Sequence, residues 1–420
     1  MVENSHRVQG PDPEASKAQR WEPKGAPGRV AIAHGQAWPT LCLAAGFVAA
    51  AAVVAVVDGG SRQWMALHLL LVGGVLGAIS ATTQMFAITW SAAPPPPSTV
   101  VALQRWLLAL GALALVAGRE FEVTALAAGG GSAVIVALLL LAHLLAHIRS
   151  RVAIGRHLAT IDGYLLAVAV GIAGLGLGLW MAVGSPAEPA RVLDAHTTLN
   201  LFGLVGLVVA ATLPSFIATQ ARTKMNRRYR PARARLVLGV MAAGVVFAAA
   251  GMATGHSSLA TAGLVVLLGS MAATGALLPR LGRRQWSWAG PRLVQVFAAL
   301  GWWVVATVWT LVAVNDPAVG TQRVWLVLAV GGIAQLVIGS LAYLGPIMRG
   351  REHRGQLRAF AICRSWPSLA AGNLAALAVA LGWWTVAAVA VAVWLVDFAV
   401  RAVLLVVLVR PRRAPLPSAG

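Results

Sequence analysis

Charged residues are scarce in this chain of 420 residues: they make up 11% of its positions, and only 13 residues are acidic. Cysteine and tyrosine are rarer still, with two and three copies. Soluble domains carry roughly 25% charged residues, so an ordinary soluble domain is excluded. Hydrophobic residues instead fill 59% of the positions, and the mean hydropathy is +0.77. We therefore expect an integral protein that crosses the membrane many times.

Apolar runs long enough to cross a bilayer, separated by short polar loops, occupy most of the chain. We predict an all-α, polytopic transmembrane helix bundle of about 12 spans with both termini cytoplasmic. Residues 1–36 are polar, lack the apolar segment of a signal peptide, and are expected to form a disordered cytoplasmic tail. The twelve-helix transmembrane bundle takes residues 37–410, and residues 411–420 form a second cytoplasmic tail. The spans are expected near residues 38–57, 64–90, 100–118, 123–148, 160–183, 193–220, 234–254, 257–279, 291–314, 322–347, 366–382 and 384–409.

Basic residues decide the expected orientation, because short cytoplasmic loops retain Lys and Arg. With the N-terminus inside, 29 of the 33 basic residues fall on inner segments or inner span ends. The outer loops hold only Arg62, Arg119, Arg191 and Arg323. We therefore expect a multi-pass protein of the inner (cytoplasmic) membrane whose main partner is the lipid bilayer. No basic face is interleaved with aromatic residues, which argues against nucleic acid as a partner.

Two histidines stand out among the few polar residues inside the spans, where every polar side chain needs a partner. His68 lies about one turn below the outer end of the second span, and His196 lies at a similar depth in the sixth. Two neutral imidazoles from different helices at one level are what an axially ligated haem requires, and imidazole also binds copper. The alternative is that both rings bond neighbouring carbonyls or water. His256, in the outer turn between spans seven and eight, is a third candidate metal ligand or is simply solvated.

Asn200 follows His196 by four residues, so that both lie on one helical face, and Gly203 continues this face one turn deeper. One interpretation is a ligand with a supporting amide beside a cofactor slot that the small residues leave open. The other is ordinary small-residue helix packing, with Asn200 bonding between helices.

Three of the outer arginines, Arg62, Arg191 and Arg323, stand at the outer starts of spans two, six and ten. The guanidinium group suits carboxylates, so these arginines are candidate partners for the propionates of a haem that enters from this side. The alternative is that they extend to lipid headgroups.

Two further pairs of polar residues have the spacing i, i+4. His143 and His147 share a face at the inner end of span four and are either a two-ligand metal site or a basic helix end beside the cytosol. Asp397 and Arg401 lie in the middle of the last span and form either an ion pair that buries two charges or part of a relay in a transporter. The sequence offers companions for such a relay, Gln335 and Asn373, and a glycine run that could break span five: Gly171, Gly174, Gly176 and Gly178.

The segment from Ala195 to Gly206, which runs on to Met225, resembles the histidine-to-asparagine helix of polytopic actinobacterial membrane proteins related to NnrS. More remotely, it is similar to the catalytic subunit of haem-copper oxidases. The resemblance covers roughly residues 38–409, and three more stretches carry it: Trp64 to Gly73, His143, and Ala334 to Pro346.

The resemblance implies that His68 and His196 correspond to haem or copper ligands in the outer half of the bundle. A complete haem-copper oxidase site also needs two consecutive histidines on span seven and a His-x-His pair on span ten. Here span seven has no histidine, and span ten offers Gln335. The resemblance therefore implies a cofactor-binding relative that does not reduce dioxygen by itself.

These observations predict a protein on a haem-copper-oxidase-like scaffold that binds one haem or metal near its outer face. Its role would lie in electron transfer or in nitrogen-oxide or copper-linked stress, with a copper or redox protein as partner on the outer face. The alternative is a secondary transporter or permease for a small solute. A third possibility is a scaffold that only binds partner subunits.

Overall fold

The structure is a computed structural model that describes residues 28–57, 63–184, 186–316, 318–349 and 353–408. Every regular element among these residues is helical and none is a strand, which confirms the all-α class. Eleven of the helices are long and apolar enough to cross a membrane, so the chain is a multi-pass membrane protein.

A helix lies at the position of each of the twelve expected spans. These helices are α1 (Arg29–Val57), α2 (Gln63–Ser91), α3 (Ser98–Glu120), α4 (Thr124–Ser150), α5 (Leu158–Val183), α6 (Pro189–Gln220), α7 (Pro231–Thr254), α8 (Ser257–Leu277), α9 (Pro291–Asn315), α10 (Arg323–Met348), α11 (Trp366–Leu381) and α12 (Trp384–Leu408). Helix α11 has 16 residues, about 24 Å, and is shorter than a hydrocarbon core of about 30 Å. The count of twelve spans therefore stays a prediction.

The first helix begins earlier than the sequence indicates. Residues 29–36, assigned above to the disordered tail, are helical, while residues 1–27 and 409–420 lie outside the described residues. The side-chain amide of Gln36 donates to the carbonyl of Pro96 at 2.9 Å, which holds this part of α1 against the loop before α3. A tertiary contact of this kind leaves no trace in a hydropathy pattern.

The twelve helices form three consecutive units of four helices each. In each unit the third and fourth helices form a close hairpin: α3 with α4, α7 with α8, and α11 with α12. Two or three residues connect the helices of each hairpin, and one of them has a positive φ: Glu122 (56°), Gly255 (75°) and Gly382 (76°). Such left-handed residues end a helix and reverse the chain.

An arginine from the second helix of a unit lies on the hairpin turn of the same unit. A Cβ added to Gly255 would lie 2.9 Å from Cζ of Arg191, and one added to Gly382 would lie 3.2 Å from Cζ of Arg323. A cation at this place is favourable because the carbonyl ends of α7 and α11 carry partial negative charge. The two turns thus explain where the two arginines sit.

The second helix of each unit changes from α-helical to π-helical geometry along part of its length. The π-helical segments are Leu69–Val75 in α2, Thr198–Val205 in α6 and Leu328–Ala334 in α10. Helix α6 is the most buried of the spanning helices, followed by α2 and α10. These three helices therefore form the centre of the bundle. All three contain a π-helical segment, a geometry that is frequent at functional sites.

Each π-helical segment presents a glycine to the first helix of its unit. A Cβ added to Gly73 would lie 2.2 Å from the ring of Phe47, and one added to Gly203 would lie 2.4 Å from Val170. One added to Gly331 would lie 2.6 Å from Trp302. The repeated close approach shows that the three units share one internal packing plan.

Candidate functional site

His196 is seated on two glycines of the neighbouring helix α5. A Cβ added to Gly178 would lie 2.6 Å from Cε1 of the imidazole, so only glycine leaves room for the ring. The ring nitrogen Nδ1 lies 2.8 Å from the carbonyl oxygen of Gly174. The half-buried imidazole is therefore fixed in position by α5 rather than by its own helix.

His68 is held by its own helix. Its Nδ1 lies 2.8 Å from the carbonyl oxygen of Trp64, one turn earlier. The imidazole also stacks on the indole of Trp64, with ring centroids 3.9 Å apart. Two contacts with one residue thus fix the orientation of the ring.

The two imidazoles have the same tautomer. A backbone carbonyl only accepts hydrogen bonds, so the proton of each neutral ring resides on Nδ1 of His68 and of His196. The other nitrogen, Nε2, then carries a lone pair, which is the form in which histidine binds a metal. Metal-binding histidines in proteins usually show this same arrangement, with one nitrogen bonded to the protein.

Asn200 joins α5 to α6 beside His196. Its amide lies against Gly174, where an added Cβ would meet Nδ2 at 2.6 Å, and Nδ2 donates to the carbonyl of His196 at 2.8 Å. One turn deeper, Val170 and Val245 occupy the space beside Gly203. This stretch of α6 is thus closed by helix packing, and the open slot expected beside Gly203 is absent.

Three of the other outer residues expected at the site have contacts of their own. Arg191 and Arg323 rest on the hairpin turns described above, and Arg62 lies outside the described residues. His256 is exposed, and its Nδ1 lies 2.9 Å from the hydroxyl oxygen of Thr254. Among the described residues, no three His, Cys, Asp or Glu side chains are grouped so that they could hold one ion. His256 therefore does not complete a three-ligand site with the central pair.

The histidines of α4 show no metal-site geometry. The side chain of His143 is exposed and that of His147 is half-buried. The inner end of α4 is instead tied down through Arg149, which is paired with Asp162 of α5, and Asp162 also binds Arg235 of α7 at 2.6 Å. These contacts favour the interpretation of a basic helix end.

The expected relay residues form two separate sets of contacts. Arg401 binds Asp397 at 2.9 Å and donates to the carbonyls of Ile362 (2.6 Å) and Arg364 (3.2 Å). These bonds tie α12 to the end of the short helix His353–Ile362 and to the turn that follows it. In the other set, the side-chain amides of Gln335 and Asn373 bond each other reciprocally, at 3.1 and 3.3 Å. The ion pair and the amide pair are thus each satisfied locally.

The glycine run of the fifth span does not break that helix. Helix α5 is continuous from Leu158 to Val183. Gly174 and Gly178 have the same i, i+4 spacing as His196 and Asn200, and each glycine receives one of these side chains. This matched spacing is the signal in the sequence that would have located the seat of His196.

A buried arginine near the start of α9 is a feature that the sequence analysis missed. Arg292 is only 4% exposed, and its Nε and Nη2 atoms have no hydrogen-bond partner. Its guanidinium lies 4.9 Å from the ring centre of Phe360 and 5.4 Å from that of Trp288. Arg222 covers Trp288 at 3.8 Å. Aromatic faces thus take the place of acidic partners around this cation.

The chain was compared with protein-family models and with curated proteins, and it matches none of them. The functional interpretation is therefore based on the contacts within the chain.

Proposed function

We propose that this protein binds one haem in the outer half of the bundle, with Nε2 of His68 and Nε2 of His196 as ligands to the iron. The observation that carries the proposal is the hydrogen bond from each Nδ1 to a backbone carbonyl, at 2.8 Å in both cases. These bonds leave the Nε2 atoms of both rings bare, on two of the three central helices. Ligand histidines are prepared in this way in metal sites.

Haem suits this pair better than a bare ion. A metal ion held by protein alone usually takes four or more ligands, and the described residues offer no third histidine, cysteine or carboxylate at the pair. A porphyrin would supply four nitrogens of its own, so that His68 and His196 would be enough to hold a haem. Copper is the second metal that an imidazole pair accepts.

Electron transfer is the role that we propose for a haem that would be held by both His68 and His196. When bound, such a haem supplies one-electron redox chemistry. The residues of the chain supply the rest: Gly174 and Gly178 seat His196, Trp64 orients His68, and the apolar helices exclude water. A copper or redox protein would exchange electrons with the site at the outer face, in nitrogen-oxide or copper-linked stress, as the resemblance to NnrS-related proteins and haem-copper oxidases implies.

The membrane arrangement belongs to the same proposal. The chain crosses the inner membrane twelve times with both ends in the cytoplasm, so that His68 and His196 lie toward the outer face. The excess of basic residues in the expected inner segments supports this orientation.

The proposal is tested on protein purified in mild detergent from cells that make haem. We expect a Soret band and one iron per chain. His68→Ala and His196→Ala should each remove most of the haem, and the double variant should lose little more, because a site without one ligand already binds poorly. The matched controls are His143→Ala and His256→Ala, whose side chains are exposed. Both controls should keep full haem content.

Two outcomes contradict the proposal. Haem that survives in the double variant would lie elsewhere in the bundle. A colourless, metal-free wild type that takes up a solute into vesicles would establish a permease instead.

A further inference from the structure

An open apolar groove of about 550 Å³ runs along the outside of the bundle between α1, α2 and α3. Its lining includes neither His68 nor His196, although Leu69 follows His68 in the chain. Its walls include Cys42, Gly46 and Phe47 of α1, Leu69 of α2, and Trp106 and Leu113 of α3.

One charged residue lines this apolar groove. Arg105 of α3 contributes to its wall, and the buried Nε of its guanidinium has no hydrogen-bond partner. A buried donor without a partner is costly in an apolar environment. The guanidinium of Arg105 lies 5.8 Å from the ring centre of Trp106, but its buried Nε is still free to donate. The groove thus combines apolar walls with a cation that has a hydrogen-bond donor to offer.

The groove has the length and the polarity of one lipid leaflet. On α1 it extends from Pro39 to Ala50, a rise of about 16 Å, and half of a hydrocarbon core is about 15 Å. Arg105 lies near the end of the groove that faces the start of α3. Side chains on a helix lean toward its N-terminus, which directs the guanidinium of Arg105 to the headgroup level of that leaflet.

We propose that this groove binds an anionic phospholipid of the leaflet next to the N-terminal end of α3, which is the inner leaflet in the orientation given above. One acyl chain lies along Phe47, Leu69 and Leu113, and the phosphate of the headgroup accepts hydrogen bonds from Arg105. An acyl chain fits the apolar walls, and an anionic headgroup complements the guanidinium.

The headgroup contact is tested by native mass spectrometry of the full chain after delipidation, with phosphatidylglycerol and phosphatidylcholine titrated separately. We expect one phosphatidylglycerol to bind more tightly than phosphatidylcholine. Arg105→Gln should weaken phosphatidylglycerol binding about fivefold and abolish the preference between the two lipids. The matched control is Arg227→Gln, an exposed arginine of an inner loop, which should bind like the wild type.

The acyl-chain contact is tested with a residue that fills the groove. Gly46 lines the groove, and an added Cβ would meet no atom within 4 Å, so Gly46→Leu should fold normally while its side chain occupies the track. We expect it to displace the tightly bound lipid. Gly129→Leu is the matched control, because Gly129 is also exposed and has open space around it, but lies on α4 outside the groove.

Three outcomes would overturn the proposal. The first is unchanged phosphatidylglycerol binding in both groove variants. The second is equal binding of the two lipids by the wild type. The third is a dimer that Gly46→Leu dissociates, since the groove would then hold a second copy of the chain. All three readouts are independent of haem content, so this proposal and the proposed function fail separately.

Discussion

His196 owes its orientation to glycine residues that are distant in the chain. Its ring occupies the space where a side chain at Gly178 would be, and its Nδ1 bonds the carbonyl of Gly174. A metal ligand must be held within narrow limits of position and angle. At the scale of single residues, α5 is therefore as important to the candidate site as α6, which carries the histidine.

Gly178→Ala tests this seat directly. The new methyl group would lie 2.6 Å from Cε1 and 2.9 Å from Nδ1 of His196, so the imidazole must move. We expect haem affinity to fall about ten- to a hundredfold, as is usual when a group that supports a ligand is disturbed. Titration of the haem-free protein with haem measures the effect.

The control for this variant lies on the same helix. An added Cβ at Gly176 would meet no atom within 4 Å, so Gly176→Ala should bind haem like the wild type. Equal affinities for the two variants would mean that the position of His196 does not depend on Gly178.

The helical hairpins depend on close backbone contact. In the hairpin of α7 and α8, a Cβ added to Gly251 would lie 2.3 Å from the backbone nitrogen of Ala260. The hairpin of α3 and α4 repeats this contact, with Gly118 at 2.2 Å from the nitrogen of Ala127. Between helices in a membrane, such packing replaces the hydrophobic effect as the driving force.

Gly251→Ala should therefore separate α7 from α8. The clash is with backbone atoms, which do not rotate away, so we expect a destabilisation of about 3 kcal/mol, at the upper end for overpacked interiors. The measurement is the temperature at which the purified protein ceases to elute as a single species from a sizing column.

Gly239→Ala is the reference on the same helix, because an added Cβ there meets no atom within 4 Å. It should match the wild type. If Gly251→Ala were as stable as Gly239→Ala, the hairpin would not require this close contact.

The whole molecule repeats one four-helix plan three times around the centre formed by α2, α6 and α10. The candidate ligands occupy only two of the three central helices, because α10 has Gln335 but no histidine. Both histidines lie just ahead of a π-helical segment, His68 before Leu69 and His196 before Thr198. The repeated plan thus explains why residues from different units come to similar depths.

The proposed orientation of the whole molecule has its own test. A reporter fused after residue 230 should be cytoplasmic, and one inserted at residue 187 should be external. The reason is that the loop before α7 is strongly basic, and short basic loops remain in the cytoplasm. Reporter activity in whole cells measures both fusions. The reverse result at both sites would place His68 and His196 in the inner half.

Some features of this protein follow from its sequence alone. Hydropathy along the chain located a helix at every expected span, since spanning a bilayer is a property of about twenty consecutive residues. The all-α class and the spacing of His196 and Asn200 on one face are equally local. The threefold repeat is hard to see in the sequence, because Ala378 of the third hairpin stands where the second has Gly251, and only Ala387 matches its counterpart Ala260.

Only the tertiary structure decided which partners the polar residues take. Arg191 rests on Gly255, His196 on Gly178, and Gln335 bonds Asn373, although these partners are far apart in the chain. From the sequence, Arg191 is a candidate for either haem propionates or lipid headgroups, and Gln335 is a companion of a relay only in the transporter alternative. The sequence does not show which helices are neighbours. The position of a helix in the bundle is set by close contacts between small residues, and these depend on all the helices together.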